Sequence, residues 1–175
     1  IAFMRDGETQ QIGTAEEILT EPANGYVQSF VENVERSRIV TAASIMVDKP
    51  LVARLGKVGP EVLIRKMKER KLTVLPVVDE RGILQGEVRL GDLVKLREAK
   101  VKDIASVIKS EVHSITADTV VEDILPLMTM TNSPIWVVNE EREFEGVVPL
   151  SSLIVEVTGK DMEEINDIIQ QAIDL

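Results

Sequence analysis

The chain has 175 residues, of which 44% are apolar and 29% are charged, a net charge of −10 and no cysteine. This composition is typical of a globular protein, and it excludes disulfides and thiolate-metal sites. No apolar run reaches the roughly 18 to 20 residues of a membrane-spanning helix, and Arg5, Asp6 and Glu8 interrupt the N-terminus too early for a signal peptide.

The charge is distributed unevenly along the chain. Residues 1–43 carry −4 (3 bases, 7 acids), residues 44–102 carry +6 (14 bases, 8 acids) and residues 103–175 carry −12 (3 bases, 15 acids). A basic unit beside an acidic one suggests an electrostatic task for the basic unit, such as binding an anionic ligand or surface. Attraction between the two units is the alternative interpretation.

The first forty residues predict a hairpin followed by two helices. Apolar and polar side chains alternate around Asp6-Gly7, a strong signal for a two-residue hairpin turn. Thr14 and Glu17 have the spacing of a capping box, which predicts a short helix ending near Leu19. A second helix is predicted by apolar residues at helical spacing. These residues are Tyr26, Val27, Phe30, Val31 and Val34.

Much of the stretch from Lys71 to Val94 recurs sixty positions later without a gap. Each copy predicts a short apolar strand, a polar turn, a second strand entered through a glycine, and the start of a helix. The chain is therefore predicted to be a tandem repeat. The matching pairs are Val77 and Val137, Val78 and Val138, Gly86 and Gly146, Val88 and Val148, Leu90 and Leu150, and Leu93 and Leu153.

Each repeat also contains an earlier helix. In the first repeat this helix opens at Gly59-Pro60, and its apolar side chains Leu63, Ile64 and Met67 are expected to face inward. In the second repeat, Thr119 and Glu122 predict a capped helix, which Pro126 should kink or shorten. Five bases of the first helix are expected in solvent: Arg65, Lys66, Lys68, Arg70 and Lys71.

The last seventeen residues predict an acidic amphipathic helix. Its apolar side is formed by Met162, Ile165, Ile168, Ile169 and Ala172.

The first forty residues resemble the closing hairpin and helices of the ATP-binding subunits of bacterial ABC transporters. Their sequence is most similar to that of the glycine betaine/proline importers. The resemblance is carried by the run M-x-x-G-x-x-x-x-x-G-T-x-x-E-I, which spans Met4 to Ile18. It implies an ATPase domain upstream of Ile1, a membrane-spanning permease subunit as partner, and a cytoplasmic location at the inner face of the cell membrane.

The repeated order of strand, helix, strand, strand and helix resembles the CBS domain, which pairs in tandem to form a regulatory module. LPVVDERGILQGEVRLGDL carries this resemblance. The implied fold class is α+β, a tandem CBS pair of two β-α-β-β-α repeats preceded by the hairpin and helices of an ATPase domain. The expected segments are 1–40 (the end of the ATPase domain and a linker), 41–99 (first repeat), 100–158 (second repeat) and 159–175 (acidic helix).

This segment is not expected to be an enzyme, although the full-length subunit should be an ATPase. The phosphate-binding loop G-x-x-x-x-G-K-[ST] is absent, since Gly56-Lys57 and Gly159-Lys160 lack its other residues. His113, the only histidine, has no nucleophile or carboxylate at a recognisable spacing, so a structural role is favoured. We predict no catalytic residue, no metal site and no nucleic-acid partner.

The CBS resemblance implies a cleft between the repeats in which an adenine nucleotide (AMP, ATP or cyclic di-AMP) is the candidate ligand, although no cofactor is certain. An Asp in a G-h-h-[ST]-x-x-D run would hold the ribose hydroxyls, and the run from Gly86 to Asp92 keeps the Asp but has Arg89 at the hydroxyl position. The run from Gly146 to Ser152 loses both. The predicted ligand-binding residues are Val52, Leu72, Val74, Arg89, Asp92, Pro134, Trp136 and Val147.

The sequence is interpreted as the regulatory module of an osmoprotectant importer that gates uptake by sensing ionic strength, an adenine nucleotide, or both. The five bases would then sense salt through contact with an anionic membrane surface. A homodimer is expected, because helical faces such as Leu63, Ile64 and Met67 would be only partly covered. The alternatives are a module that senses only an adenine nucleotide or cyclic di-AMP, and a purely structural dimerisation module.

Overall fold

The computed structural model describes residues 1–31, 36–131 and 133–166. It begins with a hairpin of β1 (Ala2–Arg5) and β2 (Glu8–Ile12). Asp6 and Gly7 have φ angles of 52° and 84°, as a type I′ turn requires. The hairpin expected from the Asp-Gly pair is therefore confirmed.

Two short helices follow, α1 (Ala15–Thr20) and α2 (Gly25–Val31). Thr14 Oγ1 accepts from the Glu17 amide at 3.1 Å, and Glu17 Oε2 accepts from the Thr14 amide at 2.7 Å, so the predicted capping box is formed. On α2, Val27 is buried whereas Phe30 is exposed and meets Phe3 edge-on, with ring centroids 4.6 Å apart. Val34 of the predicted stripe lies outside the described residues.

Two similar units make up most of the remaining chain. A 3₁₀ turn precedes each unit, at Arg36–Arg38 and Ala105–Val107. The first unit consists of α3 (Ala42–Ile45), β3 (Val47–Asp48), β4 (Ala53–Arg54), α4 (Pro60–Glu69), β5 (Val74–Val78), β6 (Leu84–Arg89) and α5 (Leu90–Glu98). The second consists of β7 (Ser114–Ile115), α6 (Val121–Met130), β8 (Ile135–Val138), β9 (Phe144–Val148) and α7 (Leu150–Thr158).

The two units are interlocked because each gives a segment to the sheet of the other. β3 of the first unit pairs with β9 of the second, with Val47 opposite Val147. The sheet orders are therefore β4-β5-β6 and β3-β9-β8-β7. In the reverse direction, Lys109 forms an antiparallel bridge with Glu87 of β6.

Two glycines permit these exchanges. A Cβ atom on Gly86, which has a φ of 144°, would lie 2.2 Å from the Lys109 carbonyl oxygen. A Cβ atom on Gly146 would lie 3.0 Å from the Val47 carbonyl oxygen and 2.9 Å from the Met46 sulfur. Glycine therefore recurs at the same position of both repeats because a segment of the other unit passes close to the backbone there.

Each unit has its own apolar core. Leu63, Ile64 and Met67 are buried against β5 and α5 in the first core, which confirms that they face inward. The expectation that they leave a partly covered face for dimerisation is wrong, because the strands and α5 cover them. Val40 and Ala42, which precede the first unit's sheet, belong to the core of the second unit.

The second unit differs locally from expectation. α6 begins after Val120 and has no side-chain cap, so the capping box predicted at Thr119 and Glu122 is wrong. The Thr119 hydroxyl lies 3.3 Å from the Thr116 hydroxyl instead. α6 also continues through Pro126 to Met130 and is not shortened by it.

Residues 162–166 of the tail are helical, with Ile165 buried and Met162 exposed. The other apolar tail positions, Ile168, Ile169 and Ala172, lie outside the described residues. Within the described part of the chain, no helix is both long and apolar enough to cross a membrane.

Candidate ligand-binding cleft between the repeats

A cavity of about 310 Å³ lies where the end of β6 meets the start of β8 and the segments that precede β7 and β8. Glu87 and Arg89 enter it from the first unit, and Ser133 and Trp136 enter it from the second. The crossing of Lys109 onto β6 brings these side chains together. A ligand in this cleft would contact both units at once.

The polar centre of the cleft is the carboxylate of Glu87, a residue only 4% exposed. Its Oε1 accepts from Ser133 Oγ at 2.9 Å and lies 3.4 Å from Nε and Nη2 of Arg89. Its Oε2 accepts from Trp136 Nε1 at 3.3 Å. Arg89 Nη2 also donates to Ser133 Oγ at 3.0 Å, which closes the network. A buried carboxylate is costly without such partners, so this network joins the two units.

Trp136, the only tryptophan, is 2% exposed. Its ring meets Phe144 edge-on at 6.2 Å and packs in a cluster with Leu84 and Val138. Val74 and Val147 cover the same cluster, which lies between the two sheets. The indole therefore borders the cleft through its edge and its N–H group.

The predicted ligand-binding residues occupy two related positions. Arg89, Pro134 and Trp136 line the cavity. Val74 precedes Pro134 by sixty residues, and Val147 follows Glu87 by sixty residues. Because Pro134 and Glu87 line the cavity, Val74 and Val147 occupy the equivalent positions of the other unit. Val52 and Leu72 belong to the first unit and are half-buried, and Leu72 packs against the first core.

Asp92 does not line the cavity. It lies in the first turn of α5, where its Oδ1 accepts from Lys95 Nζ at 3.0 Å. Its role toward a ribose therefore stays a prediction.

Glu87 and Ser133 were missed by the sequence analysis. The available signal was the acid itself, since Glu87 stands between Gly86 and Val88 at a position where the second repeat has the apolar Val147. Acids are rarely buried unless they are paired. The partner could not be deduced, because Ser133 is forty-six residues away in the chain.

The five predicted sensing bases are all exposed, but only three of them lie on α4. These are Arg65, Lys66 and Lys68, whereas α4 ends at Glu69, Arg70 is its C-cap and Lys71 has a φ of 55°. The single-helix description of the five bases is therefore corrected. Arg65 lies 3.9 Å from Glu69, and no ion pair involves the other four within the described residues.

His113 is exposed beside the cleft, and its carbonyl accepts from the Trp136 amide at 3.4 Å. It lies just before β7 and not within it. Among the residues that the structure describes, no group of three or more His, Asp or Glu side chains is placed to hold a metal ion.

The chain thus contains two β-α-β-β-α units that exchange segments around a shared cleft. The family model for the CBS domain matches residues 42–99 and 101–159, so the chain belongs to the CBS domain family. The predicted fold class, an α+β tandem CBS pair, is confirmed.

Curated relatives extend this comparison beyond the CBS pair. The chain is 31% identical over 162 residues to the glycine betaine/carnitine transport ATP-binding protein GbuA of Listeria monocytogenes, covering 93% of this chain and 40% of the relative. It is 34% identical over 161 residues to the glycine betaine transport ATP-binding protein OpuAA of Bacillus subtilis, covering 92% of this chain and 38% of the relative. The chain thus spans about two fifths of these relatives, and the resemblance to importer ATP-binding subunits is confirmed.

Solved structures agree on the fold. CBSX2 of Arabidopsis thaliana, in complex with AMP, superposes with a TM-score of 0.60 at 19% identity, covering 68% of this chain and 96% of that one. At this identity the likeness shows the fold alone.

Proposed function

We propose that the chain is the regulatory region of the ATP-binding subunit of a glycine betaine/proline-type osmoprotectant importer. In this proposal it gates uptake by sensing ionic strength, an adenine nucleotide, or both. The observation that carries the proposal is the shared cleft, in which Glu87 and Arg89 of one unit are bonded to Ser133 and Trp136 of the other. Any ligand or change in salt that alters these contacts acts on both units, and so shifts their relative arrangement.

The electrostatic part of the proposal rests on α4. Arg65, Lys66 and Lys68 are exposed on one helix, with Arg70 and Lys71 directly after it. Exposed charges are screened over about 8 Å at physiological salt and about 3 Å at 1 M. Each base near an anionic membrane contributes roughly 1 kcal/mol at low salt. This surface would therefore hold the module on anionic lipid at low salt and release it at high salt.

The nucleotide part of the proposal rests on the cleft. Arg89 and Lys109 line it and are suited to a phosphate, whereas Glu87 suits donor groups such as hydroxyls or an exocyclic amine. The related CBS pair of CBSX2 is described in complex with AMP. An adenine nucleotide is accordingly the first ligand to test, and a module that senses only such a ligand is the main alternative.

The proposed partners are the permease subunit and a second copy of the chain, with the assembly at the inner face of the cell membrane. Support for the homodimer comes from the second unit. Leu150 is 56% exposed and Val157 is 53% exposed beside an apolar groove of about 380 Å³ between α6 and α7. Exposed apolar grooves of this kind commonly form interfaces.

A titration of the chain with AMP, ATP and cyclic di-AMP at low and high salt tests the proposal, with the melting temperature and Trp136 fluorescence as readouts. If Asp92 holds the ribose, Asp92→Ala should weaken nucleotide binding by about 1.5–3 kcal/mol. The exposed acid Glu140 supplies the control Glu140→Ala, which should bind as the parent does. A salt-dependent change in fluorescence without ligand supports ionic sensing. The absence of both effects would contradict the proposal and leave a structural dimerisation module.

A further inference from the structure

A second, larger cavity lies outside the inter-repeat cleft. It measures about 750 Å³ and is bounded by the segment that enters α4 and the segment that leaves α5. It shares no lining residue with the cleft that contains Glu87. Its size is within the range of about 300–1,000 Å³ that small-molecule sites occupy.

Basic side chains dominate the polar lining of this outer cavity. Lys57, Arg97, Lys100 and Lys102 line it together with two acids, which gives a net charge of +2. Lys57 is paired with Glu80 at 2.9 Å, outside the cavity. Arg97, Lys100 and Lys102 form no ion pair with any residue that the structure describes. Three cations are thus available to an anion that enters.

The two acids of the lining, Glu61 and Asp103, form no ion pair with these cations within the described residues. Asp103 accepts from the Ala105 amide at 3.0 Å, which fixes its carboxylate in the local turn. Glu61 forms no ion pair within the described residues. The rest of the wall is mostly apolar and consists of Val58, Pro60, Val62, Val101 and Ile104.

The second unit provides an internal comparison, because the corresponding place there is closed by backbone hydrogen bonds. The segment before β3 is bonded directly to the segment before α6. The bonds run from the Ala42 amide to Thr119 at 2.8 Å, from the Ala43 amide to Ala117 at 2.8 Å, and from the Val121 amide to Val40 at 2.9 Å.

None of these three bonds has an equivalent in the first unit. Lys109 takes beside β6 the place that Val47 takes beside β9, so Ala42, Ala43 and Val40 correspond to residues sixty-two positions later. Their partners in the second unit correspond to residues sixty positions earlier. The corresponding pairs are therefore Ile104 with Gly59, Ala105 with Lys57, and Lys102 with Glu61. The Ala105 amide is bonded to Asp103 instead, and the other two pairs are not bonded within the described residues. The first unit is therefore open where the second is sealed, and the opening is lined by cations.

We propose that this outer cavity binds a small organic phosphate. A phosphate group carries a charge of about −1.5 to −2 at pH 7, which the three cations Arg97, Lys100 and Lys102 can offset. The planar fork of Arg97 suits two phosphate oxygens, while Lys100 and Lys102 supply point charges. The apolar wall would cover the organic part of the ligand. The site is independent of the inter-repeat cleft and of the function proposed for it.

The test is a calorimetric titration of the whole chain with ADP and with inorganic pyrophosphate, followed by amide NMR shifts at Gly59, Val101 and Ile104. We expect ADP to bind, and Arg97→Gln and Lys100→Gln each to weaken binding about tenfold, in line with the loss of one charge-assisted hydrogen bond. Arg81→Gln removes an exposed base of the first unit that lines neither cavity, and it should bind ADP as the parent does. Binding should also weaken as salt is raised.

Several outcomes would overturn the inference. ADP binding that survives both Arg97→Gln and Lys100→Gln but is lost in Arg89→Gln would place the nucleotide in the inter-repeat cleft, which Arg89 lines. Equal losses in Arg81→Gln and Arg97→Gln would indicate non-specific charge attraction. No binding of ADP or pyrophosphate at millimolar concentration, or binding only to phosphatidylglycerol vesicles, would also contradict a site for a soluble phosphate.

Discussion

The backbones of Glu87 and Lys109 are joined by two hydrogen bonds of 2.9 Å, one in each direction. Glu87 lies at the end of the first unit's sheet, and Lys109 lies on the segment that leads into the second unit. In the related pairing of Val47 with Val147, a strand of the first unit joins the sheet of the second unit. Neither unit completes its set of strands without the other, so we expect them to unfold together.

Gly86→Ala should destabilise both units. Its Cβ atom would lie 2.2 Å from the Lys109 carbonyl oxygen, and the φ of 144° is strained for any other residue. Overpacking and backbone strain together should lower the free energy of unfolding by roughly 2–5 kcal/mol. Urea denaturation followed by circular dichroism measures this change. Gly91→Ala is the control, since a Cβ there meets nothing within 4 Å and alanine favours the helix. A loss of unfolding free energy no greater than that of the control would contradict the inference that the approach of Lys109 requires glycine at position 86.

Glu87→Ala should loosen the cleft without abolishing folding. It leaves Trp136 Nε1 and the Arg89 guanidinium without their carboxylate partner. The buried indole N–H, left without a partner, costs about 1–3 kcal/mol, whereas the Arg89 side chain is 42% exposed and keeps its bond to Ser133 Oγ. Because Trp136 is the only tryptophan, its fluorescence should shift to the red as water enters. Ser133→Ala removes one hydroxyl and should cost less, about 0.5–1.5 kcal/mol. An unchanged emission spectrum in Glu87→Ala would show that the network does not hold the indole.

Val157→Asp should dissociate the expected homodimer. The substitution places a charge in the apolar groove between α6 and α7, next to Leu150. Truncation of most interface residues costs less than about 1 kcal/mol of association energy, but a charge buried without a partner costs several times more. Light scattering at tens of micromolar compares it with Ile12→Asp, which adds the same charge to an exposed residue of the hairpin. Equal masses for the parent and Val157→Asp would exclude this groove as the interface.

Reversal of Arg65, Lys66 and Lys68 to Glu should make uptake active at low ionic strength in the full transporter. Each reversal removes roughly 1 kcal/mol of attraction to anionic lipid, and the new carboxylate adds repulsion. Uptake measured in proteoliposomes at increasing internal salt concentration gives the ionic strength at which the transporter becomes active. A matched control reverses three exposed bases elsewhere, Arg54, Arg81 and Arg142. Retention of the parental threshold by the α4 variant, or an equal shift in the control, would show that α4 is not the sensor.

Local features of the chain were readable from the sequence because neighbouring residues decide them. The Asp6-Gly7 turn and the Thr14–Glu17 cap depend on residues at most three apart, and both are formed. The exception is Thr119 and Glu122, where the backbone pairing of Thr119 with Ala42 moves the helix start to Val121. A tertiary hydrogen bond there outweighed a local propensity.

The sequence alone determined the tandem repeat, the charge contrast and the CBS family, since these follow from residue identity and a fixed spacing. Only the tertiary structure decided which strands exchange, because the pairing of Val47 with Val147 joins residues one hundred positions apart. It also decided that Glu87 is buried against Ser133 and Trp136, and that Arg97 and Lys100 line an open cavity. Periodicity identifies the face on which a side chain lies, but its partner depends on the packing of elements that are distant in the chain.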